Sequence, residues 1–170
     1  MTEEAARKVA IVTGASEGIG HAIALRLLED GYRVAMLARQ PDKLREACDE
    51  LGPDACGFAC DLGNLEDIER TVAEVREWGG SIDALVNCAS TTRSGTALSL
   101  SDAEWASGFE IKVMGALRLM RACWPSLAVA RGGVVNIGGI GARTPRDAAA
   151  MTGPLSAALM ALTKVFADRG

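Results

Sequence analysis

The stretch that decides the fold lies near the start of the chain and reads Val9-Ala10-Ile11-Val12-Thr13-Gly14-Ala15-Ser16-Glu17-Gly18-Ile19-Gly20. Its first four residues form the short apolar run that is typical of a buried β-strand. Beyond the glycines, apolar residues recur at helical spacing, at Ile19, Ile23 and Leu27. The chain therefore passes from a strand through a glycine-rich turn directly into a helix.

Apolar runs alternate with amphipathic stretches along the rest of the chain. Further strands are predicted over 34–37, 55–60, 84–86 and 134–137, and helices over 19–29, 41–51, 65–78, 101–124 and 155–167. Ser101 and Glu104 form a capping-box pattern at the start of the long helix. Continuous apolar strands between helices indicate a parallel sheet covered on both faces. With right-handed crossovers, the pattern predicts one doubly wound α/β domain of the Rossmann type, with three α/β/α layers, over residues 1–170.

Composition excludes several classes of protein. The chain has 170 residues, of which 49% are hydrophobic and 24% are charged, and its formal net charge is −4. This is enough apolar chain for a real core, and too much for a disordered protein. The mild acidity argues against a nucleic-acid partner. No apolar run approaches the roughly 18 residues that cross a bilayer, and residues 2–8 do not resemble a secretory signal. We therefore expect a cytoplasmic protein without a membrane partner.

The cysteines and the histidine do not form a recognisable metal or disulfide framework. Five cysteines, an odd number, lie at positions 48, 56, 60, 88 and 123, which fits a reducing compartment. The simplest interpretation is that all five are small buried hydrophobic residues. Because His21 is the only histidine and no set of four ligands is evident, no metal site is predicted.

The glycine-rich turn has the chemistry of a phosphate-binding loop. Glycine adopts positive φ at little cost, and its missing side chain lets a diphosphate approach the backbone. The following helix offers free N–H groups and a partial positive charge. The alternative is a plain turn, but the strand–turn–helix context favours nucleotide binding. The predicted binding residues in the loop are Gly14, Ser16, Glu17, Gly18, Ile19 and Gly20.

The spacing Gly-x-x-x-Gly-x-Gly resembles that of the short-chain dehydrogenase/reductase family, whose members are NAD(P)(H)-dependent oxidoreductases. Four other segments agree: Cys60-Asp61-Leu62, Asn87-Cys88-Ala89-Ser90, Gly132–Ile137 and Ser156–Lys164. The second of these departs from the family's Asn-Asn-Ala-Gly at Cys88 and Ser90. The resemblance covers nearly the whole chain. It implies cofactor contacts from Asp61, Leu62, Asn87 and Ala89.

The residue after the second strand indicates which cofactor is used. An acid there would bond the ribose 2′-hydroxyl of NAD(H), but this chain has Arg39. A guanidinium suits the 2′-phosphate of NADP(H), and the resemblance links such an arginine to that cofactor. Glu17, however, stands where NADP(H)-dependent relatives often carry a base. We therefore expect NADP(H), with NAD(H) and a merely solvated Arg39 as alternatives.

The residues that perform catalysis in the family are replaced. The resemblance implies a Tyr-x-x-x-Lys pair, a Ser 13 residues before the Tyr, and an Asn on the preceding helix. The only tyrosine is Tyr32, which Arg33-Val34-Ala35-Met36 follows, so the pair is absent. A phenol with a pKa of about 10 needs a neighbouring cation to act near neutrality. The positions of the Ser, Tyr, Lys and Asn fall on Gly139, Thr152, Ser156 and Lys112.

One of these replacements returns a cation to the site. Lys112 projects from the long helix towards the same pocket, and it is our candidate catalytic residue; the alternative is a lysine that reaches to solvent. Lys164 lies two helical turns beyond the lysine position and is interpreted as structural. His21, in the first turn after the glycine loop, is expected to be packed or close to phosphate.

The family's domains continue beyond the length of this chain. A sixth and a seventh strand are therefore expected to be missing, which would leave the fifth strand as an open edge for a partner to cover. Three explanations for the short chain are open: it is part of a longer protein, it is a naturally short product, or a second polypeptide supplies the remaining strands. The apolar long and final helices predict a homo-oligomer, unless their apolar faces only cover the sheet.

Three functions remain open from the sequence. The first is an oxidoreductase with a rebuilt site that acts on a small-molecule carbonyl or alcohol. The second is a non-catalytic nucleotide-binding pseudo-enzyme or scaffold partner. The third is a lyase or isomerase on the same fold that uses Lys112 or Cys88 without net redox change.

Overall fold

The computed structural model of the protein describes residues 7–169. Five parallel strands form one sheet in the order β3-β2-β1-β4-β5. The strands are β1 (Val9–Thr13), β2 (Arg33–Ala38), β3 (Ala55–Ala59), β4 (Ala84–Asn87) and β5 (Gly133–Asn136). The order reverses at β1, because β2 and β3 lie on one side of it and β4 and β5 on the other. The predicted doubly wound sheet is confirmed.

Six α-helices connect and follow the strands. They are α1 (Gly18–Glu29), α2 (Pro41–Leu51), α3 (Leu65–Gly79), α4 (Asp102–Phe109), α5 (Ala116–Ala130) and α6 (Thr152–Ala167). The single long helix predicted from Ser101 to Trp124 is not one regular helix. A π-helical segment, Glu110–Gly115, joins α4 to α5, and α5 continues six residues past Trp124. The final helix starts at Thr152, three residues earlier than predicted.

Side chains alternate between the two faces of the sheet and produce the predicted three layers. Val9, Ile11 and Leu37 pack into one core with residues of α3, α5 and α6, whereas Val12 and Met36 join α1 and α2 in a second core. All five of these side chains are at most 1% exposed. Burying a side chain of this size stabilises the fold by about 1.5–3 kcal/mol. β1 and β2 therefore each contribute apolar side chains to both cores.

Local sequence signals fix where individual helices begin. The predicted capping box is present: Ser101 Oγ accepts a hydrogen bond from the Glu104 amide, and Glu104 accepts one from the Ser101 amide. Asn64 caps α3 by accepting from the amides of Glu66 and Asp67. Such caps satisfy helix N–H groups that have no partner within the helix.

The structure corrects the interpretation of the cysteines. All five thiols are free, but only Cys60 and Cys123 are buried; Cys48, Cys56 and Cys88 are partly exposed. These three lie at a helix, at an edge strand and after β4, where neighbouring elements do not enclose them completely. Among the described residues, no group of His, Cys, Asp and Glu side chains has the arrangement of a metal site.

The surface features that bear on partners are located as follows. Within the described chain β5 pairs with β4 alone, and its Val135 is 55% exposed. Seven apolar residues of α5 and α6 are buried in the chain's own cores, namely Ala116, Leu119, Met120, Cys123, Leu127, Leu155 and Leu159. Met160 is exposed. A homo-oligomer therefore stays a prediction.

None of the described helices has the length and apolarity needed to span a bilayer.

Candidate functional site

The glycine loop lies at the carboxyl end of β1, where the strand order of the sheet reverses. Gly14 adopts φ +64°, and its amide donates to the Leu37 carbonyl over 2.8 Å. A methyl group at Gly20 would lie 2.2 Å from the Gly14 carbonyl oxygen, so no side chain fits there. The loop thus folds back on the start of α1 at a distance that only glycine allows.

The N-terminus of α1 is open to a ligand. Glu17 precedes the helix, its side chain makes no capping hydrogen bond, and the first turn contains no acidic residue. The amide N–H groups of that turn have no partner within the helix. Gly18 adopts φ +60°, with no atom within 4 Å of the place that a Cβ would occupy. An anion such as a diphosphate suits this combination of free donors and space.

Thr13 links the glycine loop to the end of β4. Its Oγ1 accepts hydrogen bonds from the amides of Cys88 and Ala89, over 2.9 and 3.0 Å. A Cβ at Gly14 would lie 3.0 Å from the Ala89 Cα, so the two loops are in close contact. Sequence reasoning did not identify Thr13. The signal was available, since a threonine that ends a wholly apolar strand must find hydrogen-bond partners.

A cavity of about 500 Å³ extends from the glycine loop along the carboxyl ends of the strands. It brings together most of the residues that the sequence singled out. Those that line it are Gly14, Ser16, Glu17, Ile19, Gly20, Arg39, Leu62, Ala89, Lys112, Gly139 and Thr152. Open doubly wound sheets bind their ligands in this position. The cavity is therefore the candidate site.

Four of the sequence-predicted residues do not line the cavity: Gly18, Asp61, Asn87 and Ser156. Asp61 Oδ1 accepts from the Gly63 amide over 2.9 Å, within its own loop. Asn87 is buried and donates from Nδ2 to Asn136 Oδ1 over 2.8 Å. The Asp61 side chain thus stabilises the turn after β3, and Asn87 links the ends of β4 and β5. Contact of either side chain with a cofactor stays a prediction.

Basic residues lie at the end of the cavity formed by β2. Arg39 is exposed and forms no ion pair among the described residues. Lys43, on α2, also lines the cavity, and its Nζ lies 3.5 Å from the Glu17 carboxylate. Sequence reasoning missed Lys43, although its spacing of four residues from Arg39 was a usable signal. Two cations and one carboxylate at this end give a net positive charge.

A second, polar cleft of about 500 Å³ adjoins the first and shares Arg39 with it. Arg93 and the hydroxyl-bearing residues Ser90, Thr91, Thr92 and Ser107 line this cleft, together with Glu104. Glu104 is engaged in the capping box. The loop after β4 therefore supplies a wall to both spaces.

The positions of the family's serine, tyrosine and lysine lie together in space. The Gly139 amide donates to Ser156 Oγ over 2.9 Å. A Cβ at Gly139 would lie 2.7 Å from the Thr152 Cγ2 methyl group. The side chains present thus fill the space in which a serine at position 139 would stand. Tyr32 packs in the second core, outside the cavity lining.

Lys112 lies in the π-helical segment and also lines the cavity. The side chain is mostly buried, with 8% of the residue exposed, and Nζ donates to the Ile137 carbonyl over 3.2 Å. Burial lowers the pKa of this amine, and the nearby Cys88 thiol opposes that effect. Burial in turn raises the pKa of Cys88, and Lys112 counteracts this. Irregular π segments frequently mark functional positions in helices.

The remaining charged candidates lie outside the cavity. Lys164 is exposed and pairs with Asp168 on the last turn of α6. His21 Nε2 is buried and lies 3.6 Å from the Glu50 carboxylate, between α1 and α2. Lys164 was expected to be structural, and its surface ion pair agrees with that. His21 takes the packed one of its two expected placements.

A glycine loop at the reversal point of a doubly wound parallel sheet defines the class of dinucleotide-binding α/β proteins. A family model described as short chain dehydrogenase matches residues 8–169. The chain belongs to this family of oxidoreductases, which includes NAD(P)-dependent reductases.

Similar proteins and a solved structure support the assignment. The chain is 33% identical over 161 residues to 2,3-dihydro-2,3-dihydroxybenzoate dehydrogenase of Bacillus subtilis, covering 92% of this chain and 62% of that protein. It is 31% identical over 134 residues to human 3-oxoacyl-[acyl-carrier-protein] reductase, covering 78% and 56%. A crystal structure of an actinorhodin polyketide ketoreductase variant with NADPH matches with a TM-score of 0.89 and 33% identity, over 94% of this chain and 64% of that one. The chain thus spans less than two thirds of the length of these relatives.

Proposed function

We propose that this chain binds NADP(H) in the cavity at the carboxyl edge of the sheet and does not catalyse the family's tyrosine-dependent carbonyl reduction. The observation that carries the proposal is a contrast within one cavity. The glycine loop has a geometry that suits a diphosphate, whereas Gly139 and Thr152 stand at the positions of the family's catalytic serine and tyrosine. Binding depends on backbone donors, and proton transfer depends on specific side chains. The two properties can therefore separate.

Three features support a fit to the dinucleotide. Gly14 and Gly20 leave the backbone bare for a diphosphate, and the first turn of α1 offers unpaired amides. Arg39 and Lys43 supply cations at the end of β2, where a carboxylate would favour the ribose hydroxyls of NAD(H). A guanidinium can form two parallel hydrogen bonds to a 2′-phosphate. NADP(H) is therefore the preferred form, in keeping with the NADPH present in the similar ketoreductase structure.

When bound, a nicotinamide cofactor supplies the hydride donor or acceptor, so a carbonyl group reduced beside it needs a proton as well. The hydroxyls of Thr152 and Ser156 are the groups at the family's tyrosine and lysine positions. Aliphatic hydroxyls are far weaker acids than a phenol, whose pKa is about 10. Ser156 is also fully buried and accepts from the Gly139 amide. The proposal is thus a nucleotide-binding protein with an inactive reaction centre.

The test is a pair of measurements on the purified chain. Calorimetric titration with NADPH and NADH should show micromolar or weaker binding, tighter for NADPH. Absorbance of NADPH in the presence of a panel of ketones and aldehydes should then show no turnover. Gly133→Ala, on β5 and with no atom within 4 Å of the added methyl, provides a control variant that should behave as the wild type.

Each half of the proposal has its own contrary result. Failure to bind either dinucleotide would overturn the binding role, whatever the activity. Steady consumption of NADPH with one of the carbonyl compounds would show that the site is rebuilt rather than inactive, and would favour the oxidoreductase alternative.

A further inference from the structure

Lys112 is a buried amine without an acidic partner. Only 8% of the residue is exposed, yet it lines the cavity. Its one hydrogen bond runs to a neutral acceptor, the Ile137 carbonyl, and it forms no ion pair among residues 7–169. A buried charge is normally paired, because desolvation disfavours it strongly. Burial therefore disfavours the charged form of this amine and lowers its pKa, and the proposed dinucleotide role does not use the residue.

The neighbours of Lys112 fit a small uncharged ligand. The ends of β4 and β5 contribute Cys88 and Ile137 to this part of the lining, and the residues that follow contribute Gly139 and Thr152. None of these four side chains carries a full charge when the thiol is protonated, and burial keeps the pKa of that thiol above its ordinary value. Thr152 offers a hydroxyl that can hold a carbonyl oxygen. The basic residues Arg39 and Lys43 belong to the β2 end of the cavity instead.

We propose that Lys112 captures a small neutral aldehyde or ketone as an imine in this cavity. The amine lone pair forms a bond to the carbonyl carbon, and the carbonyl π pair moves to oxygen, which takes up a proton. The nitrogen loses a first proton, and the new hydroxyl takes up a second one and leaves as water when the C–O bond breaks. The nitrogen lone pair forms the C=N bond, and the nitrogen then loses its second proton to give the neutral imine. The sum is amine plus carbonyl giving imine plus water, with no oxidant or reductant.

The other three lysines of the chain lie in surroundings that suit this reaction less well. Lys164 pairs with Asp168, and Lys43 lies beside Glu17, so a carboxylate contacts each of these two amines. Lys8 is exposed at the start of β1, outside the cavity. For Lys112, burial lowers the amine pKa, and the only other influence of note is the Cys88 thiol. The four lysines thus provide an internal comparison within one protein.

This activity goes beyond dinucleotide binding and does not depend on it. The experiment therefore omits NADP(H) altogether. The full chain is incubated with propanal and sodium cyanoborohydride, which reduces an imine to a stable secondary amine. Proteolysis and peptide mass spectrometry then report the extent of propylation at each lysine against time. A reversible adduct on Cys88 is not an imine and would not be trapped in this way.

The expected result is that the propyl group accumulates first on Lys112. Its rate should also reach a plateau at lower pH than the rate at Lys164, because the fraction of neutral amine rises with pH and a lowered pKa moves that rise downwards. Lys112→Arg should lose the adduct at this position while the other three lysines react as before. Circular dichroism checks that the variant is folded.

The proposal is overturned if Lys112 stays unmodified in the wild type, or reacts no faster than Lys164. This comparison needs no variant, so it stands even if Lys112→Arg fails to fold. If the chain binds NADPH but gives no Lys112 adduct, only the imine proposal is overturned. If the chain gives the adduct but binds no dinucleotide, only the proposed binding function is overturned.

Discussion

The two ends of the cavity are built by different means. At the glycine loop the backbone forms the surface of the cavity, and the residues that allow this are those without side chains, such as Gly14 and Gly20. At the other end the family's reaction depends on side-chain groups, and Gly139, Thr152 and Ser156 offer none of the usual ones. The comparison teaches that a fold can keep the backbone of its glycine loop while the side chains at the other end of the same cavity differ from those of the family.

The largest expected effect is at the backbone-built end. Gly20→Val would place a branched side chain where even a methyl group lies 2.2 Å from the Gly14 carbonyl oxygen. The loop must open, so we expect loss of measurable NADPH binding together with a destabilisation of about 1–3 kcal/mol. Calorimetry and denaturant unfolding measure the two effects. Undiminished NADPH binding by this variant would show that the loop does not form the site.

The next effect concerns the charge at the end of β2. Arg39→Asp removes the guanidinium and adds a carboxylate that can accept from ribose hydroxyls. Charge-assisted hydrogen bonds contribute about 1.5–3 kcal/mol, so NADPH affinity should fall by roughly ten- to a hundredfold while NADH affinity holds or rises. Titration with both dinucleotides measures the selectivity.

Arg45→Asp is the matched control for that charge change. Arg45 lies on α2, pairs with Asp42 and does not line the cavity. If both variants weaken NADPH binding equally, the effect is long-range electrostatics and Arg39 is not a phosphate ligand.

The smallest expected effect is at the opposite end of the cavity from the glycine loop, and it tests the steric contact between position 139 and Thr152. Gly139→Ala places a methyl group 2.7 Å from Thr152 Cγ2, although Gly139 has an ordinary φ of −102°. The cost is therefore packing alone, about 1–3 kcal/mol. Thr152→Ser removes the obstructing methyl group, so the double variant should recover part of the loss, with a coupling of about 1 kcal/mol.

Chemical denaturation of the four proteins in this cycle gives the coupling. Strict additivity would mean that the loop carrying Gly139 moves aside, and that the two positions are less closely packed than the structure has them. A serine at position 139 would then be accommodated by a single substitution.

Much of the fold followed from local patterns. Apolar runs such as Val9–Thr13 and the alternation with helices predicted all five strands and the three layers, because burial on both faces requires continuous apolar strands. The helix starts at Ser101 and Pro41 were also recognisable. The π segment was not, since an added backbone residue within a helix leaves no clear periodic signal in a short stretch.

The site was predictable where single residues define backbone geometry. Gly14, Gly20 and Arg39 line the cavity as expected, whereas Gly18 does not. Thr13 and Lys43 were missed although each had a signal in the sequence. Their partners, after β4 and in the glycine loop, become evident only from the fold. The alignment of Gly139, Thr152 and Ser156 agreed with their proximity in the structure.

The π-helical segment that carries Lys112 has a bearing on how this helix tolerates changes in length. Its hydrogen bonds span one residue more than those of an α-helix, and one residue corresponds to a rotation of about 100° around the axis. Deleting a single residue between Glu110 and Gly115 would let the segment become regular α-helix. The faces of α4 and α5 would then be turned by that angle relative to each other. The length of this short segment thus sets which side of each flanking helix meets the sheet.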